Sequence, residues 1–159
     1  MSAKIIESAG THVTVDAFVK DPSVFTENHL QALFQKLVSA LNMQIIWGPK
    51  FIEVPLDPNI LKKAQETGIF HDEGGISGIC IINTSHISVH CWPLQNFFSA
   101  DVFSCCDYES KVAFDIIYKH LGVERKSIHV LRRKKPIGKK ELIFFLCRKF
   151  LKWIITLFY

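Results

Sequence analysis

The chain has 159 residues, 48% of them apolar and 21% charged, which suits one folded domain with a real core and excludes both a disordered segment and a pair of ordinary domains. Its net charge of +4 is lopsided: ten basic residues stand against fourteen acidic ones before residue 132, and nine against one from there on, so the body of the chain is acidic and argues against nucleic-acid binding. Five cysteines without paired C-x-x-C spacing disfavour a zinc ribbon or redox dithiol and read as free thiols, and the opening residues lack an apolar run of secretory length, so a cytoplasmic protein is expected.

Residues 12–19, HVTVDAFV, alternate apolar and polar side chains as a half-buried strand does. The following DPSVFTENH carries a turn proline and a helix-start cluster. Between residues 28 and 41, Leu30, Leu33, Phe34, Leu37, Val38 and Leu41 recur at three- and four-residue steps, the stripe of an amphipathic helix. Residues 43–47 and 51–54 read as two short strands around Gly48 and Pro49, followed by a loop broken by Pro55 and Pro58 with a short helical turn near 60–65. Strands are predicted at 76–83, 87–92 and 100–105. A second amphipathic helix is predicted at 110–121, with Val112, Phe114, Ile116, Ile117 and Leu121, and a last strand at 127–131. Strands that are mostly neighbours in sequence, with two helices, give an α+β fold: a two-layer sandwich, an antiparallel sheet with helices on one face.

Ser85, His86, His90 and Cys105 form the one tight group of nucleophiles, bases and acids in the sequence. Strand period two puts His86, Ser88 and His90 on one face. Spacing alone does not choose between a catalytic group and half-buried strand histidines beside a small apolar cysteine, and for an arbitrary β-rich domain the second reading is favoured. No metal cluster, P-loop or dinucleotide fingerprint is present.

The order of several short motifs changes that balance. GTHVTVDAF resembles the G-x-H-x-x-x-D/E-F opening strand of the prokaryotic, pyruvoyl-dependent S-adenosylmethionine decarboxylases, and GISG resembles their G-V-S-G. TSHISVHCWP is similar to their E-S-H-x-x-x-H-T-W-P, SADVFSC to their A-x-D-x-x-T-C, and KSIHVLRR to the closing strand. The resemblance covers roughly residues 9–133.

It implies a proenzyme. Ser85 would attack the carbonyl of Thr84, convert the amide into an ester, and after elimination leave a pyruvoyl group on a new N-terminus, splitting the chain into 1–84 and 85–159. Ser77 would protonate the intermediate and His90 would remove the α-proton of the ester. The covalent pyruvoyl cofactor, made from Ser85, would bind the substrate amine as a Schiff base and accept the electron pair released with carbon dioxide, with Cys105 as proton donor. The implied substrate is S-adenosylmethionine, the product an aminopropyl donor for spermidine, and the assembly a homodimer of processed protomers that share their active sites. Cys106 receives no role, and Cys80, Cys91 and Cys147 read as small apolar residues.

Two departures bear on the substrate. Leu94 stands where the family has a ribose-binding glutamate after Trp-Pro, and the adenine-stacking phenylalanine falls in GIFHDEGG, which offers Phe70 and His71. Trp92 remains as a substrate platform. Another amino acid, such as arginine or ornithine, and a non-cleaving homologue are therefore kept as alternatives. Thr84 also replaces the usual glutamate, but only its carbonyl takes part in cleavage.

Residues 134–159 form a basic, apolar C-terminal extension beyond the 1–133 domain. Its Arg148, Lys149 and Lys152 interrupt an otherwise apolar stretch, which suits a helix lying on an anionic membrane surface or packed on the protein better than one spanning a bilayer.

Overall fold

The computed structural model describes residues 8–55 and 74–135, together with 59, 62, 66 and 67. Six strands form one antiparallel sheet in the order β2-β3-β4-β5-β1-β6. In chain order they are β1 (Ser8–Val19), β2 (Ile45–Val54), β3 (Gly75–Ile82), β4 (Ser85–Trp92), β5 (Phe97–Ser104) and β6 (Val123–Lys134), with helices α1 (Glu27–Ala40) and α2 (Ser110–Leu121). The α+β two-layer sandwich is thus the observed architecture.

Alternation sets which face is covered. Val13, Val15, Ala17 and Val19 of β1, Ile87, Val89 and Cys91 of β4, and Phe98, Ala100 and Val102 of β5 are buried beneath the helices. Leu30, Leu33, Phe34 and Leu37 of α1 and Ala113, Ile117 and Leu121 of α2 close over them. Each fully buried aliphatic or aromatic side chain contributes about 1.5–3 kcal/mol of transfer free energy. Thr26 caps α1 by accepting from the His29 N–H, and Gly122 ends α2 in the left-handed region at φ +64.

The opposite face has no layer over it among the described residues. It carries Ser77 and Ile79 of β3, His86, Ser88, His90 and Trp92 of β4, and Phe97, Asp101 and Phe103 of β5, as the ladder register requires. Trp47, Ile52 and Ile79 are exposed there.

β1, β4 and β5 begin two to four residues earlier than the sequence reading places them, and three further differences bear on the site. The two short strands expected around Gly48 and Pro49 are one strand, β2, whose pairing with β3 shifts register between Trp47 and Lys50. The last strand runs the full length of β1 instead of stopping at five residues. β5 ends at Ser104, so Cys105 and Cys106 sit in a bend beyond it and not in alternating strand positions. Residues 60–61, 63–65, Phe70, His71, Cys147 and the extension after residue 135 lie outside the described residues, and with them the helical turn near 60–65 and the membrane-surface reading. No helix among the described residues is long and apolar enough to cross a membrane.

Candidate active site

β3 and β4 are joined by a tight hairpin at Asn83 and Thr84, so Ser85 opens β4 directly opposite Ile82. The turn is fastened on both sides. The Asn83 N–H donates to the Gln44 carbonyl at 2.8 Å, and the Asn83 side chain accepts from the Gln44 N–H at 3.1 Å. On the other side the Cys105 N–H donates to the Thr84 carbonyl at 2.8 Å. Ser85 itself holds φ +153, a region close to glycine-only whose occupation costs about 1–3 kcal/mol. Strain therefore sits on the residue that follows the Thr84 carbonyl. The Thr84 hydroxyl oxygen is buried without a hydrogen-bond partner, a further local cost of about 1–3 kcal/mol.

The Ser85 Oγ lies 3.1 Å from His86 Nδ1. The His86 ring meets Phe103 edge-on at 5.7 Å, and Phe103 is enclosed further by His12 at 5.5 Å and by the Arg133 guanidinium at 4.3 Å. His12 in turn contacts Asp101 at 3.0 Å.

Ser77 and His90 form a second pair, directly opposite each other on β3 and β4, with Ser77 Oγ 2.7 Å from His90 Nδ1. His90 is five residues along β4 from Ser85, which at the rise of an extended strand is about 16 Å. The sequence-predicted group therefore separates into two clusters within one chain: Ser85 with His86 and Cys105 at one end of β4, and Ser77 with His90 and Trp92 towards the other. An open cleft of about 480 Å³ on the uncovered face, lined by Trp47, Ile52, Ser77, His86, Ser88 and His90, touches both. Trp92 extends an aromatic row from His90 at 6.1 Å to Phe97 at 5.6 Å. A second cavity of about 430 Å³ is lined by Phe25, Glu53, Gly75, Trp92 and Leu94.

Cys105 is exposed, beside the strained turn. Its position depends on a brace that residue patterns did not reveal: Thr11, buried on β1, donates to the Asp107 carboxylate at 3.1 Å, and Arg132 of β6 reaches the same carboxylate at 3.3 Å. Ser104 Oγ accepts from the Cys106 N–H at 3.0 Å. Gly10 makes room for the bend, because a Cβ there would fall on the Ser104 carbonyl oxygen and 2.6 Å from Cys105 Cα. Cys106 lies exposed in the same bend. Its thiol is held above the usual range, chiefly by the charge of Cys105. Burial pushes Cys80 up to about 11 and Cys91 up to about 12, so both stay protonated and act as apolar side chains. Among the described residues no group of three or more His, Cys, Asp and Glu side chains is placed to hold a metal.

A family model described as S-adenosylmethionine decarboxylase matches residues 11–134. The chain is 35% identical over 68 residues to the S-adenosylmethionine decarboxylase proenzyme of Geobacillus kaustophilus, a match covering 42% of this chain and 55% of that one, so it spans about half the length of this relative. It is 26% identical over 141 residues to the proenzyme of the same name from Pyrococcus furiosus, with 87% of each chain covered. The crystal structure of the adenosylmethionine decarboxylase from Aquifex aeolicus VF5 shares the fold, with a TM-score of 0.60 at 23% identity over 84% of this chain and 96% of that one.

Proposed function

Because the chain belongs to the S-adenosylmethionine decarboxylase family, we propose that it is a proenzyme that cuts itself between Thr84 and Ser85 and then decarboxylates S-adenosylmethionine. The observation that carries this reading is the hairpin itself: a serine in a strained conformation follows a carbonyl whose oxygen already accepts the Cys105 N–H at 2.8 Å. An N–H aimed at a carbonyl under attack stabilises the oxyanion that develops on it. Relief of the Ser85 conformation favours leaving the amide state. The residues present therefore fit the formation of a pyruvoyl group from Ser85, which when in place supplies an electron sink for loss of carbon dioxide from an amine-bearing acid.

The chain's own residues then divide into roles. Cys105, exposed beside the new N-terminus, delivers a proton to the decarboxylated carbon. Trp92 offers a face for the nucleoside, together with Phe70 from outside the described residues. Ser77 and His90 serve the later steps of cleavage, with His90 removing the α-proton. The span of about 16 Å along β4 keeps that pair from the Ser85 of its own chain, so these roles need a second copy stacked on the uncovered sheet face, where each Ser85 meets the partner's pair. The exposed Trp47, Ile52 and Ile79 suit burial in such a contact. Free, exposed Cys105 and Cys106 suit a reducing cytoplasm. For the extension after residue 135, flotation with anionic vesicles, with and without residues 136–159, tests surface attachment; equal flotation refutes it.

Intact mass spectrometry of the purified protein tests the whole reading. Two fragments dividing between Thr84 and Ser85, the second carrying a pyruvoyl-blocked N-terminus, are expected. A single uncleaved chain after prolonged incubation would overturn it. Carbon dioxide release from S-adenosylmethionine, arginine and ornithine then identifies the substrate.

A further inference from the structure

We propose that His86 is the general base of the first processing step, so that the amide-to-ester shift is completed within one chain and only the subsequent elimination draws on Ser77 and His90. This role rests on the self-processing reading above and adds to it a catalytic residue to which the family resemblance assigns none.

A serine hydroxyl is a weak nucleophile until a base takes its proton. Of the two histidines on the uncovered face of β4, His86 has its Nδ1 3.1 Å from Ser85 Oγ, whereas His90 is bound to Ser77. Adjacent residues of a regular strand project to opposite faces. The positive φ of Ser85 takes it out of that alternation, and this is what allows consecutive side chains to meet. The ring is held in place by Phe103, itself enclosed by His12 and Arg133. To accept a proton at Nδ1 the neutral ring carries its own proton on Nε2.

The step balances without a co-reactant. The Ser85 Oγ proton passes to His86 Nδ1 as the oxygen's electron pair forms a bond to the Thr84 carbonyl carbon. The carbonyl π pair moves onto its oxygen, beneath the Cys105 N–H. When that pair returns, the bond between the carbonyl carbon and the Ser85 nitrogen breaks, and the proton held by His86 passes to the departing nitrogen. One amide becomes one ester and one amine, with His86 neutral at both ends.

The test uses the full chain as wild type, His86→Ala, His86→Gln and His90→Ala, followed by intact mass with and without hydroxylamine, which cleaves esters and spares amides. Loss of a general base slows a step by about 100-fold or more. His86→Ala and His86→Gln should therefore remain uncleaved and resistant to hydroxylamine, while His90→Ala accumulates an ester that hydroxylamine cuts at residues 84 and 85. Imidazole, which can enter the open cleft beside His86, should accelerate His86→Ala. Cleavage of either His86 variant at the wild-type rate, accumulation of a hydroxylamine-sensitive ester in them, or failure of imidazole to accelerate a His86→Ala protein with wild-type circular dichroism would overturn the proposal. If His86→Ala does not fold, the His86→Gln result decides by the same criteria. A wild type that cleaves alongside unaffected His86 variants refutes His86 alone. A wild type that never cleaves refutes the self-processing reading with it.

Discussion

The main-chain N–H of Cys105 holds the carbonyl oxygen of Thr84 at 2.8 Å, while the Cys105 thiol remains exposed. One residue thus offers two separable groups, a backbone donor to the bond that is cut and a side chain for chemistry after the cut. Cys105→Ala keeps the donor and removes the thiol. It should self-cleave within a few-fold of the wild-type rate and lose decarboxylation by about 100-fold or more. Mass spectrometry and carbon dioxide release read the two effects separately, and a parallel loss of both would refute the division.

Gly10 tests the same contact from behind. With φ +112 and a Cβ that would strike the Ser104 carbonyl, Gly10→Ala forces the Cys105 bend to move. The expected cost is about 1–3 kcal/mol of stability, together with slower cleavage, measured by thermal unfolding and by the time course of fragment appearance. Unchanged cleavage in a destabilised variant would show that the bend does not position the Thr84 carbonyl.

Trans-complementation tests the shared site. Chains carrying Ser85→Ala keep Ser77 and His90, and chains carrying His90→Ala keep Ser85. Each alone should fail to form the pyruvoyl fragments. Co-expressed, they should give cleavage of the His90→Ala chain only, since that chain supplies Ser85 and receives His90 from its partner. Absence of cleavage in isolated heterodimers would place the two clusters' cooperation elsewhere.

Leu94 lines the same cavity as Trp92 and Glu53 and is half exposed. Leu94→Glu adds an acceptor for ribose hydroxyls and should lower KM for S-adenosylmethionine roughly tenfold, the worth of one hydrogen bond to a charged group, with little change in self-cleavage. An unchanged or higher KM would mean that Leu94 does not face the nucleoside.

Stability should depend on pH through His120. Its ring stacks on His29 at 4.1 Å between α2 and α1, and each ring donates to the other's main-chain carbonyl at 2.9 Å. Burial, first, and then the charges of His29 and Lys36 hold His120 below the ordinary histidine value of 6.5, with Lys36 donating to its Nδ1 at 3.0 Å. A lowered histidine is neutral in the native state while the unfolded chain takes up protons, so its contribution is complete above about pH 6.5 and is lost as pH falls from there through the lowered value. Urea midpoints measured above and below that window should fall more steeply for wild type than for His120→Gln. Equal slopes would refute the assignment.

Elements with one buried face were legible. In β1, β3, β4 and β5, strict alternation marks the side turned to the helices, and α1 and α2 announce themselves by their apolar stripes. β2 was not legible as one strand, because Gly48 and Pro49 interrupt its pattern while β3 still supplies hydrogen-bond partners on both sides. β6 was underestimated because most of its side chains are exposed and half of them are charged, which hides any period. The motifs named Ser77, Ser85, His90 and Cys105, but their separation into two clusters follows from the ladder register that sets Ser77 opposite His90. The Cys105 N–H has no sequence signature at all, since every residue but proline carries one.

The two outermost strands bear on how copies of this chain can meet. β2 is irregular at Pro49, which has no N–H to offer, and β6 presents Arg125, Lys126, Arg132, Arg133 and Lys134 along its length. Interruptions and like charges of this kind discourage a further strand from joining a border. Lateral extension of the ribbon is thereby disfavoured on either flank of the described residues. Layering on the face left uncovered among the described residues remains, which suits the stacked pair proposed above better than growth into open fibres.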